Sequence, residues 1–127
     1  TGDIVRRSSD ACPCGRTWAR LEGGVLSRAD DMVNIRGVNV YPGAIESVIR
    51  RFPEIAEFRS IASRSGAMWA LAVEIEPASG VSNASHLPAK VGDRLLEALG
   101  LHVPVHLTEP GALPRFEMKA RRFVVQR

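Results

Sequence analysis

Residues 28–46, RADDMVNIRGVNVYPGAIE, decide the fold of this chain. The stretch holds two short apolar runs, 32–35 and 38–40, on either side of Arg36 and Gly37. A glycine between two β-branched runs indicates a hairpin, because only glycine takes a positive φ without a Cβ clash. Pro42 suits the first turn of a helix, where its missing N–H removes no hydrogen bond. The stretch therefore predicts a tight hairpin followed at once by a helix.

Helical and strand patterns then alternate along the chain. Apolar residues at i, i+3, i+4 and i+7 from Ile45 predict a first helix, which Pro53 ends. The elements predicted after it are strands at 57–63 and 68–76, a helix at 86–99, an edge strand at 103–107 and a basic segment at 118–125. The order is a β-hairpin that leads a β-α-β-β-α-β-like series. It predicts an α+β fold, a small two-layer sandwich with both helices on one sheet face.

The composition limits the classes of protein to which this chain can belong. The chain has 127 residues, of which 45% are hydrophobic and 24% charged, as expected for one globular domain with a modest core. The sequence has no apolar run near the roughly 20 residues of a membrane helix, and we expect no signal peptide. We therefore expect a cytoplasmic protein with no membrane partner. The net charge of +3 fits phosphate-bearing partners without selecting nucleic acid over a nucleotide.

Cys12 and Cys14 are the only cysteines, in the sequence CPCG. Their spacing is unfavourable for a mutual disulfide, which requires a specific Cα separation and Cβ direction. A zinc site usually needs four ligands, and the histidines are distant in sequence. We predict no metal site within this chain. A site shared with ligands from outside the chain remains the alternative.

Several motifs, in chain order, together resemble the acyl-adenylate-forming enzymes, most closely the phenylacetate–coenzyme A ligase family. They are TGD at 1–3, CPCGRT at 12–17, RLEG at 20–23, RADDM at 28–32, RGVNVYP at 36–42, IE at 45–46 and LPRFEMK at 113–119. Such enzymes join an aryl acid to ATP, giving an acyl-adenylate, which coenzyme A then converts to a thioester. The resemblance implies ATP with Mg²⁺, and coenzyme A, as cofactors.

The resemblance also implies a division of the chain. Residues 1–29 would be the end of an N-terminal adenylation domain with its connector, and 30–127 a mobile C-terminal lid. The partners implied are that N-terminal domain and the substrates: an aryl carboxylic acid, ATP and coenzyme A. Because the N-terminal domain would bind most of the substrates, the isolated chain is expected to be inactive. The acid that is activated stays open, and so does the choice between coenzyme A and a carrier protein.

The resemblance assigns adenylation chemistry to Lys119. The first half-reaction brings a carboxylate against the α-phosphate of ATP, and a flexible cation between these two anions offsets their repulsion. Asp30 corresponds to the hinge of the family, where a few residues absorb large φ/ψ changes. The alternative for Lys119 is a solvated surface lysine, and the alternative for Asp30 is an ordinary turn acid. Lys90 is the only other lysine and is predicted to be solvated.

The remaining site residues implied by the resemblance fall into two groups. Gly37 would line the tunnel for the pantetheine arm of coenzyme A, with Arg36 and Asn39 near its polar groups. The simpler interpretation of Gly37 is the hairpin turn, and the two roles are compatible. Asp3 would accept hydrogen bonds from the ribose of the nucleotide, and Arg28 would lie near that ribose and phosphate.

Two other functions fit the same order of elements. RNA-recognition domains share it, but they require aromatic residues on the open sheet face. The strand at 68–76 has a single aromatic residue and two glutamates, so we predict no nucleic-acid partner. A small ligand-binding or dimerisation module of ferredoxin-like fold is the alternative that remains.

Overall fold

The computed structural model describes residues 2–11, 13–28, 31–115 and 122–126. Eight strands and two helices lie in these ranges. In chain order they are β1 (Asp3–Ser8), β2 (Arg20–Arg28), β3 (Val33–Ile35), β4 (Val38–Val40), α1 (Pro42–Ile49), β5 (Ile55–Ser65), β6 (Met68–Pro77), α2 (Leu87–Leu99), β7 (Val105–Leu107) and β8 (Phe123–Gln126). The predicted α+β class is confirmed.

The main sheet has four strands in the order β7-β6-β5-β8. Strands β5 and β6 form an antiparallel hairpin, while β8 runs parallel to β5 and β7 runs parallel to β6. Strand β7 lies at an edge, as Pro104 beside it predicted, because proline cannot donate a ladder hydrogen bond.

The main sheet differs from the predicted series in the strand that lies beside β5. The β3–β4 hairpin forms as predicted, but it is a separate two-stranded sheet and does not join the main one. The place beside β5 is taken instead by β8, in the part of the chain that was predicted only to be a basic segment. The sequence of β8, FVVQ, is rich in β-branched residues and suits a strand. The basic residues that precede it obscured this signal.

The hydrophobic core lies between one face of the main sheet and both helices, as predicted. Leu71, Val73 and Ile75 alternate along β6 and are buried, because successive side chains of a strand point to opposite faces. The helix residues in the same buried cluster are Ile45, Val48, Ile49, Leu87, Val91 and Leu95. The sandwich therefore has one covered face, and the opposite face of β5 and β6 carries mainly polar side chains.

The helix ends follow local backbone chemistry. Helix α2 ends at Gly100, whose φ of 68° places it in the left-handed region expected for a glycine cap. Ser85 does not cap the start of α2, because its hydroxyl donates to Asn83 Oδ1 at 2.6 Å and the helix begins after His86. No helix in the described ranges is long and apolar enough to cross a membrane.

Candidate functional site

The turn between β3 and β4 is a two-residue connection with both central residues in the left-handed region. Arg36 has a φ of 49° and Gly37 a φ of 85°, the combination of a type I′ turn, whose twist matches that of the flanking strands. The Gly37 N–H donates to Asn34 Oδ1 at 3.0 Å. Asn34 Nδ2 in turn donates to Asn39 Oδ1 at 2.8 Å. Asn39 therefore stabilises the turn, whatever else it contacts.

Arg36 lies at the rim of a cavity of about 300 Å³, beside the first half of β6 and the loop that follows α2. The other lining residues are Ile35, Ala70, Leu71, Leu101, His102, Val103 and Pro104. A Cβ placed on Gly37 would meet no atom of this chain within 4 Å. Gly37 is not among the residues that line this cavity, and it faces open space within the described part of the chain.

At the other end of β6, Glu76 collects a set of hydrogen bonds on its buried carboxylate. Its side chain is 2% exposed. The Gly111 N–H donates to Oε1 at 2.8 Å and the Leu113 N–H donates to Oε2 at 3.1 Å. Arg115 adds a two-pronged contact, with Nη1 donating to Oε2 at 3.0 Å and Nη2 donating to Oε1. A bidentate guanidinium fixes geometry as well as charge.

These contacts keep Glu76 ionised. The hydrogen bonds from Arg115 lower the pKa of Glu76 from its ordinary value of 4.5 to about 2, assisted by the N–H groups of Gly111 and Leu113 and opposed by burial. The same pairing raises the pKa of Arg115. The loop at 111–115 is thus fastened to the sheet by a carboxylate that carries its charge across the working pH range.

Glu57 makes a parallel arrangement on the neighbouring strand. Arg122 Nη2 donates to Glu57 Oε2 at 3.1 Å, and Arg122 Nε donates to the other oxygen. Burial favours the neutral acid, but the bonds from Arg122 and from the Phe58 N–H outweigh it, so the pKa of Glu57 is lowered. The Arg122 guanidinium also lies over the Phe58 ring, 5.6 Å from its centroid.

The two carboxylates belong to one cluster. Glu57 and Glu76 are direct cross-strand partners in the β5–β6 register. Like charges placed directly opposite are destabilising, so each acid depends on its arginine. Arg115 also lowers the pKa of Glu57 by its charge, in addition to binding Glu76. We call Glu57, Glu76, Arg115 and Arg122 the carboxylate clamp.

The residues predicted from sequence fall in three places. Arg36, Gly37 and Asn39 form the turn described above. Asp3 and Arg28 lie opposite each other in the β1–β2 register, so the structure brings together the two positions predicted to contact the nucleotide. Lys119 and Asp30 lie outside the described residues, and their roles stay predictions.

The carboxylate clamp was missed by the sequence analysis. Its acids are 19 positions apart in register-paired strands, and only the β5–β6 pairing brings them together. The sequence nevertheless held a signal for such a cluster. Charged residues near the middle or end of otherwise apolar strands rarely lie buried without a partner, and Arg115 and Arg122, on either side of Lys119 in sequence, were candidate partners.

No group of three or more histidine, cysteine, aspartate or glutamate side chains that could hold a metal ion occurs among the described residues. Cys14 is exposed, and Cys12 lies outside the described ranges. The alternative of a metal site shared with ligands from elsewhere is therefore not tested by this chain alone.

The turn and the carboxylate clamp lie at opposite ends of β6. The cavity beside the turn is lined by Ala70 and Leu71, whereas Glu76 lies five residues beyond Leu71. At about 3.4 Å per residue, that separation along the strand is about 17 Å. The turn and the carboxylate clamp therefore lie at separate places on the domain.

Comparison with known proteins agrees with the resemblance drawn from the motifs. Residues 37–127 match the family of AMP-binding enzyme C-terminal domains. A phenylacetate–coenzyme A ligase from Thermus thermophilus is 32% identical over 135 aligned residues, which cover 92% of this chain and 30% of that protein. The chain thus spans about a third of the length of this relative.

Solved structures of one enzyme match the chain in two states. The 2-hydroxyisobutyryl-CoA ligase in its postadenylation state, in complex with 2-HIB-AMP, matches 99% of this chain and 28% of its own at a TM-score of 0.88 and 32% identity. The same enzyme in its thioesterification state, in complex with 2-HIB-AMP and CoA, matches 98% of this chain and 27% of its own at a TM-score of 0.67.

Proposed function

The chain belongs to the family of AMP-binding enzyme C-terminal domains, and on that premise we propose that it is the lid of an ATP-dependent aryl acid–coenzyme A ligase. The lid serves both half-reactions. Lys119 assists formation of the acyl-adenylate from the acid and ATP, and the β3–β4 turn borders coenzyme A when its thiol displaces AMP. Residues 1–29 are the end of the adenylation domain and the connector to the lid, and Asp30 is the hinge.

The match of residues 37–127 to this family of domains carries the proposal. A domain that serves two half-reactions at one active site must turn between them, with a few hinge residues absorbing the φ/ψ changes. The two states of 2-hydroxyisobutyryl-CoA ligase support such a movement. At equal sequence identity, the lower TM-score for one state is what a rigid-body change within the matched region produces.

The chemistry divides between this chain and its partner domain. ATP with Mg²⁺, coenzyme A and the acid are bound mainly by the adenylation domain, and Mg²⁺ would supply charge neutralisation on the phosphates. Asp3 and Arg28 approach the nucleotide from the connector, where one can accept hydrogen bonds from hydroxyl groups and the other can neutralise phosphate. Lys119 supplies a flexible point charge between the acid and the α-phosphate.

The test uses the full-length protein that carries this chain, with phenylacetate as the probe acid. Acid-dependent exchange of pyrophosphate into ATP measures adenylation. Lys119→Ala is expected to lower this rate by about 100- to 1000-fold, the loss typical of one stabilising donor in a transition state. Lys90→Ala is the matched control and should leave the rate unchanged, because Lys90 is exposed on α2. Equal rates for the two variants would refute the role of Lys119.

The isolated 127-residue chain provides a second test of the division of labour. It should release no pyrophosphate from ATP in the presence of phenylacetate. Acid-dependent release by the pure chain would contradict the assignment of the substrate sites to the adenylation domain.

A further inference from the structure

We propose that the cavity beside the β3–β4 turn selects the acyl acceptor, with Arg36 and His102 binding phosphate in the nucleotide half of coenzyme A. The inference rests on the proposed function, in which this turn borders coenzyme A during thioester formation. It adds His102 as a binding residue. It also favours coenzyme A over a pantetheine arm carried on a protein, because such an arm has no nucleotide.

Arg36 occupies a backbone conformation that arginine disfavours. Its φ of 49° makes it the one residue other than glycine with a positive φ in the described ranges. The first central position of a type I′ turn favours asparagine, aspartate or glycine, because a left-handed conformation brings the Cβ of other residues too close to the backbone. Strained backbone of this kind is concentrated at active sites and ligand-binding sites. The strain therefore points to a ligand contact made by the arginine side chain.

Arg36 and His102 line the same cavity from distant parts of the chain. Arg36 reaches it from the β3–β4 turn, and His102 reaches it from the loop between α2 and β7. Both residues are exposed. Neither side chain makes a hydrogen bond or an ion pair with another residue in the described part of the chain. Their N–H groups are therefore available to a ligand.

The polar groups of the cavity favour an anion. None of the eight described residues that line it is acidic. The Arg36 guanidinium offers a planar fork of N–H donors that matches the oxygens of a phosphate. The His102 imidazole can donate an N–H in its neutral form as well as in its charged form. The two side chains can therefore bind one phosphate group together.

The walls of the cavity are apolar, which a bare phosphate would not require. Leu71, Leu101 and Val103 line it and are buried. An apolar wall with a few convergent polar groups is the usual form of a site for an organic ligand. The volume of about 300 Å³ lies at the small end of the range for such sites. It suits one part of a larger ligand, and an adenine ring beside its phosphate matches both the walls and the donors.

The chain order connects this cavity with the proposed path of the thiol arm. Arg36 directly precedes Gly37, past which the pantetheine arm of coenzyme A is proposed to run. The phosphates and the adenine nucleotide of coenzyme A lie at the end of that arm opposite the thiol. A nucleotide in the cavity would thus belong to the same molecule as the arm at Gly37.

The experiment measures thioester formation from preformed phenylacetyl-adenylate by the full-length protein, with coenzyme A or with pantetheine, which has the same thiol arm and no nucleotide. Arg36→Asn and His102→Ala should each lower kcat/KM for coenzyme A by about 10- to 100-fold, the loss typical of one hydrogen bond to a charged group. With pantetheine, kcat/KM should stay within about twofold of the unchanged protein, because the group that these residues bind is missing.

Two features of the design separate binding from folding. Asparagine suits the first central position of a type I′ turn, so Arg36→Asn removes the guanidinium and retains the hairpin. Retained reaction with pantetheine shows in the same assay that the lid is folded. Arg51→Asn and His106→Ala are the matched controls, because both residues are exposed and neither lines the cavity. They should leave kcat/KM for both thiols within about twofold.

Losses of equal size with coenzyme A and with pantetheine, or no loss with coenzyme A, would overturn the inference. If the unchanged protein transfers the acyl group to neither thiol, the proposed function fails and the inference fails with it. If the unchanged protein forms the thioester with coenzyme A and the Arg36 and His102 variants match the controls, only the role of the cavity fails.

Discussion

Replacing Glu76 by glutamine should destabilise the chain far more than the same change elsewhere on the sheet. The carboxylate accepts from two backbone N–H groups and from both Nη atoms of Arg115. Glutamine has one acceptor oxygen and turns an NH₂ group toward the other donors, which leaves at least one N–H unsatisfied. Hydrogen bonds to charged groups contribute about 1.5–3 kcal/mol each, so Glu76→Gln should cost about 2–3 kcal/mol at pH 7.

The pKa of Glu76 gives an independent magnitude for the same contact. A fall from 4.5 to about 2 corresponds to at most roughly 3 kcal/mol of preference for the ionised folded state. Arg115 is 54% exposed, so solvent screens part of its contribution and reduces this figure to roughly 1–3 kcal/mol. The two estimates agree.

The pKa of Glu76 also sets the pH range over which this stabilisation is lost. Because the folded value lies below the unfolded one, the stabilisation is fully present above about pH 5 and is lost as the pH falls toward 2. Glutamine does not titrate. The difference in unfolding free energy between the unchanged chain and Glu76→Gln should therefore shrink by roughly 1–2 kcal/mol between pH 7 and pH 3.

Urea unfolding of the 127-residue chain at both pH values measures these quantities, with Glu74→Gln as the control. Glu74, which binds Arg59, is 24% exposed against 2% for Glu76, and its loss should cost at most about 1 kcal/mol. Equal destabilisation by the two substitutions, or a Glu76→Gln difference that does not change with pH, would refute the reasoning.

Two further predictions concern packing and backbone conformation, both measured by urea unfolding. Leu95→Ala should cost about 2–4 kcal/mol, because Leu95 is fully buried, whereas Leu107→Ala should cost under about 1 kcal/mol at a 42% exposed edge position; similar costs would contradict the assigned core. Gly37→Ala should destabilise by about 1 kcal/mol because its φ is 85°, although its Cβ would meet open space. Gly92→Ala, inside α2 with ordinary contacts at 3.9 Å, should stabilise by up to about 1 kcal/mol, and the same sign for both glycines would be inconsistent with these backbone conformations.

The parts of the fold that sequence predicted were those governed by local rules. The turn at Arg36 and Gly37, the start of α1 at Pro42 and the strand and helix patterns of β6 and α2 each depend on a few neighbouring residues. Strand β8 was not predicted, because its partner β5 lies some 60 positions earlier in the chain and no local pattern indicates that pairing.

The residues of the candidate site also separate into those with a local sequence signal and those without one. The turn residues were found because their motif is contiguous. The carboxylate clamp was missed because it joins two strands to a distant loop, and a buried glutamate is recognisable only once its arginine is known to reach it. Asp3 and Arg28 were both predicted to lie near the nucleotide ribose, but only the β1–β2 register shows them opposite each other.

We propose that Lys119 and the β3–β4 turn serve opposite halves of one reaction. The most direct test of this division of roles is the ratio of the two half-reaction rates in full-length Lys119→Ala and Gly37→Leu, with phenylacetate and coenzyme A as substrates. The division predicts that the ratio of adenylation to thioester formation falls by about 100-fold or more in the lysine variant and rises in the glycine variant. Ratios that move in the same direction in both variants, or do not move, would contradict it.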